Sequence, residues 1–463
     1  MTEQALETAA AHATRFLRGL PERPVGARAG AEELRARLGG PLPDGPSDPA
    51  AVVAQLAELA DDGVVASAGP RYFGFVVGGS LPAALAADWL AAAWDQNAGL
   101  FALGPAAATV EDVAAGWLTD LLGLPSTVST GFVTGGQMAS FTGLAAARHQ
   151  VLAAAGWDVE RDGLIGAPPV EVVVGAERHV TIDAALRFLG LGSGRLRVVG
   201  ADGQGRMDAA ALPEALAACQ GPTIVCAQAG NVNTGAVDPL PAICAAAHER
   251  GAWVHVDGAF GLWAAASPAL RHLVAGVEQA DSVATDAHKW LNVPYDSGLV
   301  FVAHPEAHRA AFATVAGYLT PGERDQRDPD AYTAEFSRRA RGFPVWAALR
   351  SLGRSGVAEL VERCCGHARR FADTLGAAAG VEILNEVVLN QVLVRFLDPG
   401  GDADGRTREV IRRVQADGTL WLSGTTWHGM AAMRISVSNW STTTADVDRS
   451  VAAILAATKE VDG

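Results

Sequence analysis

Lysine is almost missing from this chain. Of the 36 basic residues only Lys289 and Lys459 are lysine, and the rest are arginine. Arginine can take over solvation and ion pairing, but its guanidinium cannot act as an amine nucleophile. Cysteine is scarce too. The five present, Cys219, Cys226, Cys244, Cys364 and Cys365, include no C-x-x-C pair. That excludes a disulfide framework, argues against structural zinc, and makes reduced thiols in the cytoplasm the simple reading; no metal is expected. A basic surplus is also lacking, with 36 Lys+Arg against 51 Asp+Glu and a net charge of −15. Nothing therefore supports nucleic-acid binding. No apolar run suits a bilayer, because the stretch 74–94 is broken by Gly78-Gly79, Pro82 and Asp88. Met1-Thr2-Glu3-Gln4 opens without a basic n-region or an apolar core, so no signal peptide or membrane contact is expected.

What is present describes a globular chain with a large core: 49% hydrophobic and 19% charged residues over 463 positions. Residues 1–70 read as a helical segment, with helices over Glu3–Leu20 and Ala50–Ala60 and a Pro/Gly linker at 39–46. Seven short β-rich runs then alternate with Ala/Leu-rich helical stretches: 131–134, 170–174, 196–199, 223–227, 252–256, 282–285 and 298–302. Such alternation predicts an α/β fold with a mostly parallel sheet covered on both faces. The polar run 320–332, with two prolines, reads as a mobile surface loop or lid. Phe343–Leu375 is mostly helical. Strands over 381–396 and 433–437 and helices over 405–415 and 445–457 predict a smaller α+β domain at 343–463.

Three motifs carry chemistry. Thr134-Gly135-Gly136-Gln137 joins a strand to a helix, where first-turn N–H groups and the helix dipole favour an anion such as phosphate; a plain βα turn would look the same. Trp253-Val254-His255-Val256-Asp257-Gly258-Ala259 places a carboxylate at the C-terminal edge of a strand, where α/β sheets bind ligands; a helix cap is the alternative. Thr285-Asp286-Ala287-His288-Lys289-Trp290 places the one internal lysine just after the next strand, either as a reacting amine or as a partly buried cation paired with Asp286 or Asp296. Phosphate turn, carboxylate and lone lysine have one joint explanation, pyridoxal 5′-phosphate: an amine for the aldehyde, an acid for the pyridine nitrogen and a helix N-terminus for the phosphate. His179, after the run 170–174, could stack on such a ring, or be a satisfied core or cap histidine.

With His179, Asp257-x-Ala259 and His288-Lys289-Trp290 in this order and spacing, the chain resembles the group II pyridoxal-phosphate-dependent amino-acid decarboxylases of fold type I. The resemblance extends over nearly all of residues 70–450, including Pro70–Phe75, Ala86-Ala87-Asp88-Trp89, Glu111–Leu124 and Arg434–Trp440. It implies a large cofactor-binding domain at 71–319, a lid segment at 320–342 and a homodimer with the active site at the subunit interface. It implies that Lys289 bonds the cofactor as a Schiff base, Asp257 pairs with the pyridinium, Ala259 packs under the ring and His179 stacks on it. Gly135, Gly136, Gln137 and His288 would lie near the phosphate, and Tyr318 would protonate the substrate carbon after CO2 leaves. Asn231 stands where relatives carry a threonine near the cofactor's 3′-oxygen. Asp286 stands where animal aromatic decarboxylases carry asparagine. A carboxylate beside phosphate is repelled, so Asp286 is expected to point away or to meet an arginine.

By position, Phe75, Trp94 and Phe101 are the candidate substrate contacts. Their apolar surfaces favour an aromatic or large apolar amino acid. Decarboxylation to the amine and CO2 is the expected reaction, since Tyr318 is present. An aldehyde synthase, C–C lyase or transaminase on the same fold is the alternative.

Overall fold

A computed structural model describes residues 2–313 and 326–462. The chain divides into two compact units. One comprises residues 1–79, 369–384 and 392–463, and the other residues 80–368 and 385–391. The larger unit therefore extends beyond residue 343, and the division falls inside the helix Gly342–Gly376.

Every one of the seven β-rich runs forms a strand, in one sheet. The strands are β1 (Ser129–Val133), β2 (Glu171–Gly175), β3 (Arg197–Val199), β4 (Thr223–Gln228), β5 (Trp253–Asp257), β6 (Ser282–Asp286) and β7 (Gly298–Val302). Their order is β1-β7-β6-β5-β4-β2-β3. Only β7 runs against the rest, pairing antiparallel with both β1 and β6. Strands β4 to β7 are buried along their whole length. This explains why they read as continuous apolar runs and not as alternating patterns. The helix Gly136–Ala154 packs on the sheet through Ala139, Leu144, Ala145, Ala146 and Ala147 against Val172, Val174, Ile224 and Val300. Small residues let it approach closely: a Cβ at Gly143 would stand 2.9 Å from His255 Nδ1.

The topology sets the chemistry. Because β1, β2, β4, β5 and β6 are mutually parallel, their C-terminal ends share one edge. The turn at Gly135-Gly136, His179, Asn231, Asp257 and Lys289 all follow those ends within a few residues.

The described part of the polar run, residues 326–332, is docked. Asp328 Oδ1 accepts from Phe101 N–H at 2.8 Å, and Asp330 N–H donates to Gly99 O at 2.9 Å. Arg327 donates to Thr130 O and lies over the Tyr332 ring, 4.2 Å from its centroid. Asp328 and Arg327 are tolerated there because each side chain finds a main-chain or aromatic partner.

The smaller unit holds a four-stranded sheet of β8 (Val381–Ile383), β9 (Gln391–Phe396), β10 (Ser423–Trp427) and β11 (Met430–Ser436), in the order β10-β11-β9-β8. Helices Thr2–Gly19, Ala31–Leu38, Pro49–Ala60, Ala403–Asp417 and Thr444–Asp462 belong to it as well. Among the described residues no helix is long and apolar enough to cross a membrane.

Candidate active site

Lys289 follows β6 by three residues. Its Nζ lies 2.8 Å from Asp286 Oδ2, and about a fifth of the side chain is exposed. Of the two carboxylates the sequence offered as partners, Asp286 takes this role. Asp296 pairs instead with Arg341 at 2.7 Å.

Asp286 does not behave as expected. It neither points away nor meets an arginine. Its carboxylate accepts from Gly136 N–H, lies 3.3 Å from His288 Nε2 and binds Lys289. The reason is in the main chain. Asp286 N–H donates to Ala259 O at 2.9 Å, and Trp263 Nε1 donates to Asp286 O at 3.1 Å. With both backbone groups held, the side chain leaves the strand end toward the turn at Gly136.

Gly136 opens the helix Gly136–Ala154, Gly135 is its N-cap and Gln137 sits in its first turn. A Cβ on Gly135 would come 3.1 Å from His288 Cε1, so the turn and the lysine segment are in contact. Gly298, at the start of β7, is a residue that sequence reasoning missed. A Cβ there would lie 2.5 Å from Gly135 Cα. A glycine opening a strand run is the signal that could have found it. His288 is oriented by Ser297 N–H, which donates to its Nδ1 at 3.1 Å. Nδ1 is thus the acceptor and Nε2 carries the proton toward Asp286. Burial, the largest effect, holds the His288 pKa down and keeps the ring neutral.

Asp257 ends β5, opposite Gln228 of β4 and Ala284 of β6, and is 6% exposed. Ala259 N–H donates to its Oδ1 at 3.1 Å. Burial pushes its pKa up, while the charges of His179 and then Lys289 pull it back. His179 and Asp257 line one small cavity with Cys226 and Gln228. His179 caps the helix Val180–Phe188, accepting from Thr181 N–H at 3.4 Å. The histidine is thus a cap residue that also stands beside the carboxylate.

Asn231 is buried and largely committed to its own turn. Its Oδ1 accepts from Asn233 and Thr234 N–H at 2.9 and 3.2 Å, and its Nδ2 donates to Glu177 O at 3.2 Å. The candidate substrate contacts have partners of their own. Trp94 meets Phe343 edge-on at 5.0 Å, and Phe101 hydrogen-bonds Asp328 through its main chain. Phe75, in the other unit, stacks on Trp421 at 5.6 Å. Tyr318 lies outside the described residues.

A buried acid at one strand end needs a cationic partner, and an amine beside an N–H-lined turn suits an aldehyde that also carries a phosphate. These residues fit pyridoxal 5′-phosphate: Lys289 for the aldehyde, Asp257 for the ring nitrogen, His179 for the ring face and Gly136 for the phosphate. The class so defined is that of pyridoxal-phosphate enzymes built on a mostly parallel sheet.

The comparisons with known proteins agree. The family described as the pyridoxal-dependent decarboxylase conserved domain matches residues 32–397. An aromatic-L-amino-acid decarboxylase of Bacillus atrophaeus is 26% identical over 454 residues, covering 96% of this chain and 92% of the relative. Tryptophan decarboxylase 1 of Oryza sativa subsp. japonica is 29% identical over 437 residues, covering 88% of this chain and 83% of its own length. The crystal structure of the Oryza sativa enzyme TDC with PLP and tryptamine superposes with a TM-score of 0.93 at 24% identity, covering 100% of this chain and 98% of that one. That likeness establishes the fold. The chain belongs to the pyridoxal-dependent decarboxylase family. It is an enzyme, a pyridoxal-phosphate-dependent amino-acid decarboxylase.

Proposed function

We propose that this enzyme converts an aromatic or large apolar L-amino acid to its amine and CO2, with Lys289, Asp257 and His179 as the working groups. The observation that carries the assignment of roles is that the buried carboxylate of Asp257 closes β5 and lines one cavity with His179, at the sheet edge that Lys289 follows. Bound cofactor supplies a sink for the electron pair left when the carboxylate departs. The chain's residues do the rest. Lys289 would hold the cofactor's aldehyde through its amine. Asp257 would pair with the ring nitrogen and hold a proton there. His179 and Ala259 would hold the ring. Gly136 N–H, Gln137 and the helix dipole would receive the phosphate. Tyr318 delivers the proton to the substrate's α-carbon, a role that rests on the resemblance. Trp94 and Phe101 supply the apolar surface for the substrate side chain.

Two broader readings belong with this one. The helices Pro82–Trp94 and Pro105–Leu121 expose Trp89, Leu90, Trp94, Val113 and Trp117. Large exposed apolar side chains in such number support a homodimer. Light scattering should report a dimer, and a fully active monomer would refute it. All five cysteines are free thiols, which supports a cytoplasmic location.

An amino-acid panel assayed for CO2, amine, aldehyde and ammonia tests the reaction. Amine with CO2 from aromatic or large apolar substrates is expected. Aldehyde with ammonia would reassign the enzyme as an aldehyde synthase. Borohydride trapping should put the cofactor on the peptide containing Lys289, and Lys289→Ala should abolish both adduct and turnover. Tyr318→Phe should keep the adduct and lose amine. Wild-type behaviour of that variant would remove Tyr318 from its role.

A further inference from the structure

We propose that Asp286 is a built-in competitor for the cofactor's phosphate, its carboxylate engaging the very donors that phosphate must use. This rests on reading the turn at Gly135-Gly136 as the phosphate subsite.

Three groups converge on this one side chain. Gly136 N–H donates to Oδ1, His288 Nε2 lies 3.3 Å from Oδ1 and Lys289 Nζ lies 2.8 Å from Oδ2. The side chain is 3% exposed, so water screens it little. Its contact with the turn is close on both glycines. A Cβ on Gly136 would stand 2.7 Å from Oδ2, and one on Gly135 3.4 Å from Oδ1. The main chain of Asp286 is held on both sides, through its N–H to Ala259 O and its carbonyl to Trp263 Nε1. Adaptation must therefore come from side-chain rotation, not from a shift of the strand end.

One backbone N–H cannot serve a carboxylate and a phosphate at once, and two anions in contact at a buried site repel strongly. Cofactor capture must then turn the Asp286 carboxylate out of the cradle and break its pair with Lys289. The same step frees the lysine amine for the aldehyde. Cofactor binding is weakened by the cost of that displacement. Occupancy of the enzyme then responds to cofactor and phosphate concentrations that would already saturate an asparagine-bearing site. The carboxylate does not enter the reaction. It acts on how tightly the cradle accepts an anion.

The test compares the full-length wild type with Asp286→Asn after the cofactor has been dialysed away. Equilibrium dialysis gives the pyridoxal-phosphate dissociation constant, and thermal-shift titration gives that of inorganic phosphate. Asp286→Asn should bind both about tenfold or more tightly. Asp286→Ser, which is also uncharged, should show the same direction and serves if the asparagine variant folds poorly. Unchanged or weaker binding of both ligands would overturn the proposal. So would a gain for pyridoxal phosphate with none for inorganic phosphate, since release of Lys289 alone would then explain it. Borohydride trapping of the wild type keeps the two readings apart. No adduct on Lys289 refutes the cofactor assignment. An adduct there with no gain in the variants refutes only the role of Asp286.

Discussion

At the scale of single residues, scarcity was the most informative signal. Arginine had taken over the ordinary basic roles, so an internal lysine in an apolar stretch had to be explained. Asp257 was legible for a similar reason, being an acid closing an otherwise apolar run. The direction of Asp286 was not legible. Its main chain is held by Ala259 and Trp263 and its carboxylate meets Gly136, all more than twenty residues away in sequence, and no local pattern carries that information. Burial raises the Asp257 pKa, so the ionised carboxylate is held against its own preference. A group whose folded pKa is raised costs stability above that pKa. With cofactor removed, Asp257→Asn should accordingly melt no lower than wild type at pH 7, while its turnover collapses; calorimetry and CO2 release measure the two. A lower melting temperature would show that the carboxylate is stabilising and that its solvation has been misjudged. Gly298→Ala tests the turn from behind. Its methyl would meet Gly135 Cα at 2.5 Å, so we expect about 1–3 kcal/mol of destabilisation by urea denaturation, together with weaker cofactor binding.

At the scale of elements, the strands of the large sheet were legible because burial on both faces gives an unbroken apolar, β-branched run. Boundaries moved by one or two residues, as at β1, expected to open at Gly131 and opening at Ser129. The elements missed are those whose sequence carries another message. Strand β10, Ser423-Gly424-Thr425-Thr426-Trp427, has turn-like residues and only its two ends buried. Helix Ala31–Leu38 buries no residue at all, so it has no apolar face to betray it. The helix Gly342–Gly376 was expected as one element, yet Gly353 breaks it with φ 61° and ψ 179°, a conformation essentially reserved for glycine. A lone glycine within a helical pattern does not announce a break, because such glycines are often tolerated. Gly353→Ala should cost about 1–3 kcal/mol, seen as a lower thermal midpoint, although open space surrounds the position. Equal stability would mean that the two halves can merge into a continuous helix.

At the scale of the whole molecule, the pH dependence of stability follows from groups the chemistry does not use. His308 is buried, with Nδ1 accepting from Ser129 Oγ at 2.8 Å and Nε2 donating to Tyr332 O at 3.1 Å. Burial, aided by the nearby Arg327, lowers its pKa from 6.5 to about 3. His255, against Ser282 Oγ at 2.9 Å, is lowered to about 3 by burial alone. Each histidine stays neutral in the fold but takes up a proton in the unfolded chain near pH 6.5. Their contribution is therefore complete above 6.5 and is lost as pH falls toward 3, by up to about 1.4 kcal/mol per pH unit for each. Asp238 works the other way. Burial raises its pKa to about 6, so its penalty applies above 6 and is relieved as pH falls toward the ordinary carboxylate value. Between pH 6.5 and 6 the histidines should dominate, and below 6 Asp238 should offset one of them. His308→Gln isolates one term, since its amide can still donate to Tyr332 O but takes up no proton. Urea denaturation at pH 7, 6 and 5 should show the variant less stable than wild type at pH 7, with the gap narrowing steadily toward pH 5. A gap that stays constant would mean that His308 titrates alike in the folded and unfolded chain, and that the Ser129–His308–Tyr332 chain of bonds does not keep it neutral.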